Sequence, residues 1–301
     1  MLSLFPTQKR IIVKTIKNYV NARTAAVGDG GNEVAMIQEA DVGIGIVGKE
    51  GLQASLAADY SILQFDYLSN LILWWGRLSY KNTCIMANFV IHRGLIISLI
   101  QFIFSLMFYY NSVALYTGFL ILGYRTIYNC LPSMCLLDQD IDRENCLKFP
   151  NLYNKLLKGR DMNLKNFLWW VFKIIFHACT IMFGNIFLFK KFFIMIVTVT
   201  FTTLIFLELL NVYTEINKFH PFMVFCLLAT GIVYLLMLII FKNLLDVTSI
   251  FKFDVFFKIL LVSALSWLPF FITNRIKKIF FPETTEKLNS VNSSNKIINL
   301  D

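Results

Sequence analysis

Six long apolar stretches dominate this chain after residue 83. Each has about 20 or more residues and few charges, which is the length that an α-helix needs to cross the roughly 30 Å hydrocarbon core of a bilayer. Soluble domains rarely have core helices of this length, and hydrophobic residues make up 57% of the sequence. We therefore predict an α-helical membrane protein with six transmembrane helices, at about 84–110, 114–137, 166–189, 192–212, 219–241 and 253–273.

The charged residues lie mainly beside these stretches. A formal net charge of +9 is compatible with nucleic-acid binding, but basic residues that flank apolar runs are typical of membrane proteins. We therefore expect a membrane partner and no nucleic acid. Basic residues concentrate in the loop 138–165, which predicts that this loop and, with six spans, both termini are cytoplasmic. The six cysteines form no CxxC pair, so neither a disulfide framework nor a zinc site is indicated.

The first 66 residues differ from the rest of the chain. Short apolar segments near 24–27, 42–46 and 60–65 alternate with helix-like segments. This alternation favours βαβ units and a parallel sheet. Three strands are too few for a complete α/β domain, so we expect the C-terminal part of one, at 1–66. The other predicted regions are a stalk helix at 67–83, a transmembrane domain at 84–281 and a cytoplasmic disordered tail at 282–301.

A glycine-rich loop follows the first predicted strand. Gly28-Asp29-Gly30-Gly31 precedes a helix-like run that begins at Asn32. Glycines let a backbone approach a phosphate or a metal closely, and a helix N-terminus adds partial positive charge. A carboxylate among glycines also suits Mg²⁺ bound to phosphate. A tight strand-to-helix turn in which Asp29 only caps the helix accounts for the loop equally well.

The longer string around this loop resembles a known motif. The run Gly-Asp-Gly-Gly-Asn-Glu-Val-Ala-Met-Ile at 28–37 closely resembles the hinge motif of P-type ATPases. The residues that follow, at Gln38, 43–46 and 48–51, are similar to those at the same place in the class IV members, the phospholipid flippases. Within that class the chain is nearest the Golgi and endosomal branch, which acts without an accessory subunit. The resemblance covers the last quarter to third of such an enzyme and implies that 1–66 belong to a haloacid-dehalogenase-like phosphorylation domain.

The resemblance also implies roles for four residues around the loop. We expect Lys9, Asp29 and Asn32 to be catalytic, Lys9, Asn32 and Glu33 to contact the phosphate derived from ATP, and Asp29 and Glu33 to hold Mg²⁺. Taken alone, Lys9 would be an ordinary surface lysine. The family usually has aspartate at position 33. Because Mg²⁺ tolerates displaced ligands poorly, Glu33 is either a direct ligand or acts through a water.

Four polar residues of the first two spans form the predicted lipid path: Asn88, Arg93, Arg125 and Asn129. A guanidinium within hydrocarbon is costly unless it faces water, a headgroup or a partner. In related flippases a basic residue at the position of Arg93 lies on the headgroup path. Arg125 departs from the family, and it either binds a lipid phosphate or pairs with Glu208. We expect His92 to be a packed, hydrogen-bonded residue and Glu208 a satisfied structural carboxylate.

Two motifs of a complete P-type ATPase do not occur in the sequence: the phosphate-acceptor Asp-Lys-Thr-Gly and the actuator Asp-Gly-Glu-Thr. We therefore expect a fragment, a split-gene product or a truncated gene model that is inactive alone. The implied whole enzyme is a Golgi or endosomal translocase that uses ATP and Mg²⁺. It moves aminophospholipid-type lipids from the exoplasmic or lumenal leaflet to the cytoplasmic leaflet, and the missing N-terminal part of the enzyme is a required partner.

Two other functions stay open from the sequence. The first is a non-catalytic membrane scaffold or a decayed fragment, which has no transport activity. The second is part of a P-type ion pump, which Met36-Ile37-Gln38 and the basic Arg93 disfavour.

Overall fold

The computed structural model divides the chain into two compact units, with the boundary between Gly76 and Arg77. The predicted tail 282–301 and most of the predicted cytoplasmic loop 138–165 lie outside the residues that the structure describes. Those residues are 5–20, 23–48, 52–110, 112–136, 143–150, 163–189, 193–216, 220–242, 245–246, 250 and 252–280.

The first unit contains a three-stranded parallel sheet with the order β1-β2-β3. The strands lie where the alternating pattern predicts them. Val27 of β1 pairs with Ile44 of β2, and Ile44 pairs with Tyr60 of β3. Ala26, Ile37 and Ile44 form its buried centre. The elements are α1 Pro6–Val20, β1 Ala25–Gly28, a 3-10 turn Gly31–Glu33, α2 Val34–Glu39, β2 Val42–Ile46, α3 Leu52–Ala57 and β3 Tyr60–Ile62.

Gly45 lets α3 pack directly on the sheet. A Cβ atom at this position would lie 2.6 Å from the Cα atom of Ser55 in α3. Since backbone cannot yield as a flexible side chain can, only glycine permits this approach. In the Gly-Ile-Gly pattern of β2, Gly45 therefore permits the close approach of α3, and the neighbouring Ile44 side chain is buried.

The helix α1 leaves an apolar stripe uncovered. Ile12, Ile16 and Tyr19 follow one another at helical spacing and are 45%, 44% and 86% exposed. None of the residues of α1 is buried. This stripe lacks the cover that an amphipathic helix normally finds in a complete domain.

A long helical run begins at the predicted stalk. α4 Tyr67–Asn70 is followed by a π-helix at Leu71–Gly76, and α5 occupies Arg77–Met107. π-helical turns are rare and occur often at functional sites, so this turn marks a departure from regular helix at the boundary of the two units.

Five helices are long and apolar enough to cross a membrane: Tyr67–Met107, Leu164–Leu188 (α9), Phe193–Glu215 (α10), Pro221–Ile240 (α11) and Phe253–Phe280 (α12).

The stretch predicted as a span at 114–137 is shorter and interrupted. It consists of α6 Gly118–Gly123, a π-helix Tyr124–Tyr128 and α7 Asn129–Met134, of six, five and six residues. Pro132 within α7 cannot donate to the carbonyl four residues earlier, which is one physical cause of the interruption. The short helix α8, Arg143–Lys148, follows it.

α10 is the central helix of the second unit. Fifteen of its 23 residues are buried, and they include polar residues such as Thr202, Thr203 and Glu208. Polar contacts to neighbouring helices supplement the packing: Thr203 accepts from Asn185 Nδ2 at 3.1 Å, and Thr202 lies 2.7 Å from the Tyr234 hydroxyl. Such contacts contribute to helix association where lipid supplies no hydrophobic driving force.

Candidate functional site

The glycine-rich loop lies at the carboxyl end of β1. β1 ends at Gly28, Asp29 and Gly30 form the turn, and the 3-10 turn Gly31–Glu33 leads into α2. Ligands of open parallel sheets bind outside the carboxyl ends of the strands. The side chains of Asp29 and Asn32 are exposed at this edge. The loop therefore presents one carboxylate and one amide where an α/β sheet commonly binds phosphate.

Glu33 joins the loop to α1. Its Oε1 atom lies 2.6 Å from Nζ of Lys9, and the backbone N–H of Asp29 donates to its Oε2 atom at 3.0 Å. Partial burial of the Glu33 carboxyl opposes its ionisation, but the Lys9 ammonium and the Asp29 N–H together hold its pKa below the usual range. Lys9 and the loop, which are separated by more than twenty residues in sequence, thus form one charged site.

Gly28 makes room for this contact. A Cβ atom at position 28 would lie 2.8 Å from the Cβ atom of Glu33. A side chain there would displace Glu33 from its place across the loop. Gly30 differs, since nothing lies within 4 Å of a Cβ atom built on it.

The residues present fit a Mg²⁺ ion in part. Asp29 is exposed and can contribute one carboxylate ligand, and Mg²⁺ is usually held by one or two carboxylates together with phosphate and waters. Both carboxylate oxygens of Glu33 are engaged, by Lys9 and by the Asp29 N–H, so in this arrangement Glu33 suits contact through a water better than direct ligation. Across the described ranges no group of three or more His, Cys, Asp and Glu side chains is arranged to hold a metal ion.

The four predicted lipid-path residues do not form one site. Asn88 lines a cavity, Arg93 is half-buried on α5, Arg125 is exposed and Asn129 is buried. The Asn129 amide donates to the carbonyl of Tyr124 at 2.7 Å, which satisfies a carbonyl at the start of the π-helix. Among the described residues, no hydrogen bond or ion pair joins any two of the four.

Glu208 has partners other than Arg125. The Tyr124 hydroxyl donates to Glu208 Oε1 at 2.9 Å, and Nδ1 of His92 lies 3.1 Å from the same oxygen. The His92 contact is electrostatic, because that nitrogen makes no hydrogen bond of acceptable geometry. Of the two alternatives for Arg125, pairing with Glu208 is therefore not the one observed. Glu208 is buried, and Tyr124 satisfies its Oε1 atom, but its Oε2 atom has no hydrogen-bond partner among the described residues, so it is satisfied only in part.

Sequence reasoning missed two residues of this region. Nε2 of His92 lies 3.2 Å from Nδ1 of His177 on α9, and Lys173, one turn earlier on α9, lies 3.9 Å from Oε1 of Glu215. His177 and Lys173 are both buried. The available signal was the occurrence of ionisable residues within an apolar span, which is rare and points to function.

A cavity of about 790 Å³ with a mixed polar and aromatic lining adjoins these residues. It lies between α5, α9, the end of α10 and α12, and both Lys173 and Glu215 line it. Its other polar residues are Asn88, Lys165, Asn166, Thr273, Asn274 and Lys277. Tryptophans 169 and 170 form part of its wall, and the Lys173 ammonium lies 4.7 Å from the Trp170 ring centre. The cavity thus extends to the side chains of Lys173 and Glu215.

Comparison with known proteins identifies the family. A family model described as "Phospholipid-translocating P-type ATPase C-terminal" matches residues 55–283. The zebrafish protein "Probable phospholipid-transporting ATPase IIB" is 44% identical over 286 residues, which cover 95% of this chain and 25% of that protein. The Caenorhabditis elegans protein "Probable phospholipid-transporting ATPase tat-5" is 40% identical over 286 residues, covering 94% of this chain and 27% of that protein.

A shorter match has a similar identity. The Saccharomyces cerevisiae protein "Phospholipid-transporting ATPase NEO1" is 46% identical over 177 residues, covering 58% of this chain and 15% of that protein. The chain therefore spans about a quarter of the length of the relatives that match nearly all of it. The resemblance drawn from the loop motif is confirmed: the chain belongs to the family of phospholipid-translocating P-type ATPases and corresponds to their C-terminal region.

Proposed function

We propose that this chain is the C-terminal part of an ATP-driven flippase that moves aminophospholipid-type lipids from the exoplasmic or lumenal leaflet to the cytoplasmic leaflet. The observation that carries the proposal is the Lys9–Glu33–Asp29 arrangement at the carboxyl end of β1, in a chain whose relatives are named phospholipid-transporting ATPases. Golgi or endosomal membranes are the proposed location, and no accessory subunit is required.

In the proposed chemistry, the loop and α1 bind the phosphoryl group. The Lys9 ammonium and the amide of Asn32 contact phosphate oxygens, and Glu33 keeps Lys9 positioned through their 2.6 Å contact. Asp29 holds Mg²⁺, with Glu33 acting through a water. When bound, Mg²⁺ neutralises charge on the transferring phosphoryl group. The aspartate that accepts this group belongs to a part of the enzyme outside this chain.

The uncovered stripe of α1 supports a missing partner region. Ile12, Ile16 and Tyr19 are exposed, and large apolar patches usually mark an interaction surface. The partner that we propose is the N-terminal part of the same enzyme.

In the membrane region we propose six spans, with 118–134 as the short second one, and cytoplasmic termini. Arg93 is the proposed contact for the lipid phosphate, because a guanidinium forms charge-assisted, bidentate hydrogen bonds with phosphate oxygens. Among the described residues Arg93 makes no ion pair or side-chain hydrogen bond. Its charge is thus available to a headgroup.

Two variants of a full-length enzyme that contains this segment test the transport function. Arg93→Ala should reduce lipid-stimulated ATP hydrolysis and lipid flipping in proteoliposomes about tenfold or more, because a charge-assisted hydrogen bond contributes roughly 1.5–3 kcal/mol. Phosphoenzyme formation from ATP should remain largely intact. Arg93→Lys should keep part of the lipid response, since it preserves the charge without the fork geometry. Lys258→Ala is the control, since it removes a cation from another predicted span outside the predicted lipid path.

Unchanged lipid stimulation in Arg93→Ala would move the lipid path to Arg125 and Asn129. A full-length enzyme that forms phosphoenzyme but moves no phospholipid would instead indicate a P-type ion pump, and one that forms no phosphoenzyme would indicate the non-catalytic scaffold. On its own the 301-residue chain should form no acid-stable phosphoenzyme with radiolabelled ATP, because it has no Asp-Lys-Thr-Gly acceptor.

A further inference from the structure

Four buried polar side chains of the second unit have atoms without a hydrogen-bond partner among the described residues. They are His177 on α9, Glu208 and Asn211 on α10, and Ser266 on α12, here called the unpaired polar set. The unpaired atoms are His177 Nε2, Glu208 Oε2, both Oδ1 and Nδ2 of Asn211, and Ser266 Oγ. The four residues are at most 4% exposed. Neither the phosphoryl-transfer residues nor the proposed lipid contact uses these atoms.

Contacts between α10 and α12 bring three members of the set together. Glu208 and Asn211 are three residues apart on α10, so their side chains are neighbours on one face of that helix. The Trp267 indole N–H of α12 donates to the carbonyl of Leu210 at 3.1 Å, which places this part of α12 beside α10. Ser266 precedes Trp267 in sequence and therefore lies at the level of Asn211 along the two helices.

Contacts with α9 and α5 connect the fourth member. Ser266 and Phe270 are four residues apart and share a face of α12, and the Phe270 ring meets the His177 ring edge-on with ring centres 5.1 Å apart. His177 Nδ1 lies 3.2 Å from His92 Nε2, and His92 Nδ1 lies 3.1 Å from Glu208 Oε1. These contacts join α12, α9, α5 and α10 in a closed ring, so the unpaired polar set borders one interior space.

The chemistry of these atoms selects the ligand that would fill this space. A buried polar atom without a hydrogen bond costs free energy, and the large majority of such atoms in folded proteins have a protein or water partner. Whichever way the Asn211 amide is turned, it offers one donor and one acceptor, and the Ser266 hydroxyl offers both. A metal cation would find no use for the Asn211 donor. Water donates and accepts, so it can pair with each atom of the set in any protonation state, and about two to four such partners usually hold a buried water.

The cavity of about 790 Å³ provides a source of water for this space. Phe270 lines the cavity, and the same ring packs against His177. The cavity and the interior space therefore share the Phe270 ring as a wall. Thr273 and Asn274, about one helical turn further along α12, are polar residues of the cavity lining next to this wall.

We propose that His177, Glu208, Asn211 and Ser266 form an internal water-binding site between α5, α9, α10 and α12, which fills from the cavity. Its water completes the hydrogen bonds of Asn211 and of Glu208 Oε2, while the Tyr124 hydroxyl donates to Glu208 Oε1 at 2.9 Å. The site thereby satisfies a carboxyl group and an amide that the protein alone leaves incompletely paired in the interior of the second unit.

Hydroxyl-radical footprinting by X-ray pulses tests the site in a full-length enzyme that contains this segment, held in phosphatidylcholine nanodiscs. The radicals form from water itself, so a buried side chain is oxidised where a bound water lies beside it. Peptide mass spectrometry should show oxidation of His177, which is 0% exposed. Met182 is the matched control, an equally buried residue of the same helix that packs in the apolar core, and it should stay unoxidised although its thioether is easily oxidised.

Two variants assign the water to this set. Asn211→Leu should lower the oxidation of His177 severalfold, because it removes a donor and an acceptor and fills the space. Ser266→Ala removes one hydroxyl without adding volume, and it should lower the oxidation even if Asn211→Leu does not fold. Ser263→Ala is the control, a buried serine of the same helix whose hydroxyl already donates to the Leu260 carbonyl, and it should change nothing.

Three results would each overturn the proposal. The first is no more oxidation of His177 than of Met182 in the unaltered enzyme. The second is unchanged oxidation of His177 in the folded Asn211 and Ser266 variants. The third is oxidation of His177 only when Na⁺ and K⁺ are left out of the buffer, which would assign the space to a cation.

Discussion

In the first unit the ion pairs are exposed or half-buried, whereas the second unit also buries ionisable side chains between its helices. The pair Arg10–Glu39 in the first unit has an Nε–Oε2 distance of 2.7 Å, with the Arg10 side chain 57% exposed. His92 and Glu208 are at a similar distance in the second unit, but His92 is 1% exposed. Water screens the first pair, whereas burial removes most of this screening from the second.

Ion pairs of similar length therefore contribute differently to stability in the two units. An exposed pair contributes about 0–1 kcal/mol, and either partner tolerates loss of the other. Removing one partner of a buried pair leaves an uncompensated charge and costs about 3–5 kcal/mol. The loop around Lys9 is intermediate, since the Lys9 and Glu33 side chains are 26% and 21% exposed. An arrangement of this kind can hold a charged substrate and still exchange it with water.

The largest effect is expected at the glycine-rich loop, where a substitution should change phosphoryl transfer and not the stability of the fold. In a full-length enzyme containing this segment, Asp29→Asn should lower phosphoenzyme formation about a hundredfold or more, because the metal loses its carboxylate ligand and charge on the phosphoryl group is no longer offset. Acid-quenched labelling from radioactive ATP measures it. Asp41→Asn, at the opposite end of the sheet, is the control and should have little effect.

The same assay separates the roles of the two loop carboxylates. Glu33→Asp should be neutral or increase phosphorylation, because it restores the residue usual in the family. Normal phosphoenzyme in Asp29→Asn would contradict the metal role of Asp29.

The second prediction concerns the buried carboxylate. Glu208→Ala should destabilise the isolated chain in detergent by about 3–5 kcal/mol, because the Tyr124 hydroxyl loses its acceptor and the buried His92 ring loses its contact with the carboxylate. Asp254→Ala removes an exposed carboxylate that is paired with Lys258 and should cost about 1 kcal/mol or less. Denaturant titration followed by circular dichroism gives both values. Equal costs for the two would show that burial does not distinguish these groups.

The third prediction concerns two glycines of one loop. Gly28→Ala should destabilise the first unit by about 1–3 kcal/mol, because the new Cβ atom meets Glu33 at 2.8 Å. Gly30→Ala should change the stability by less than about 0.5 kcal/mol, since nothing lies within 4 Å of its Cβ position and its φ of −118° suits any residue. Urea unfolding of the two variants compares them directly, and a larger loss in Gly30→Ala would rule out this packing argument.

The smallest effect is expected at an exposed pair. Lys17 Nζ lies 2.6 Å from Asp41 Oδ1, and the Lys17 ammonium with the Thr24 N–H lowers the pKa of Asp41 from 3.8 to about 2. Because the folded-state pKa is depressed, the stabilisation is present above about pH 4 and is lost as the pH falls through about 2. Lys17→Gln should move this pKa back toward 3.8 in carboxyl NMR. Arg10→Gln, which removes the partner of Glu39, should leave the Asp41 titration unchanged.

The regular elements were predictable from local patterns. The three strands coincide with short apolar runs between helix-like segments, and five of the six apolar stretches contain helices long enough to span a bilayer. The stretch 114–137 is not the single long helix that was predicted, because hydropathy reports how apolar the side chains are and not which backbone hydrogen bonds form. Its apolar composition predicts one long helix, but the π-helix at Tyr124–Tyr128 and Pro132 divide it.

The candidate site was predictable only where residues are close in sequence or a family motif marks them. Asp29 and Glu33 belong to one short motif, and the resemblance added Lys9, which the structure places against Glu33. His177 belongs to no motif. Its significance depends on facing His92, 85 residues away, a contact that no local pattern encodes.

By itself the sequence determined the apolar spans, the parallel strands, the glycine loop and the family, because each depends on composition or on spacing along the chain. The tertiary structure alone decided which charges meet. It turned the two Glu33 oxygens toward Lys9 and the Asp29 N–H, it left Arg125 at the surface, and it buried Glu208 against His92 and Tyr124. The physical reason is that a buried charge requires a partner in space, and in this fold the partner of Glu208 comes from another helix, more than a hundred residues earlier.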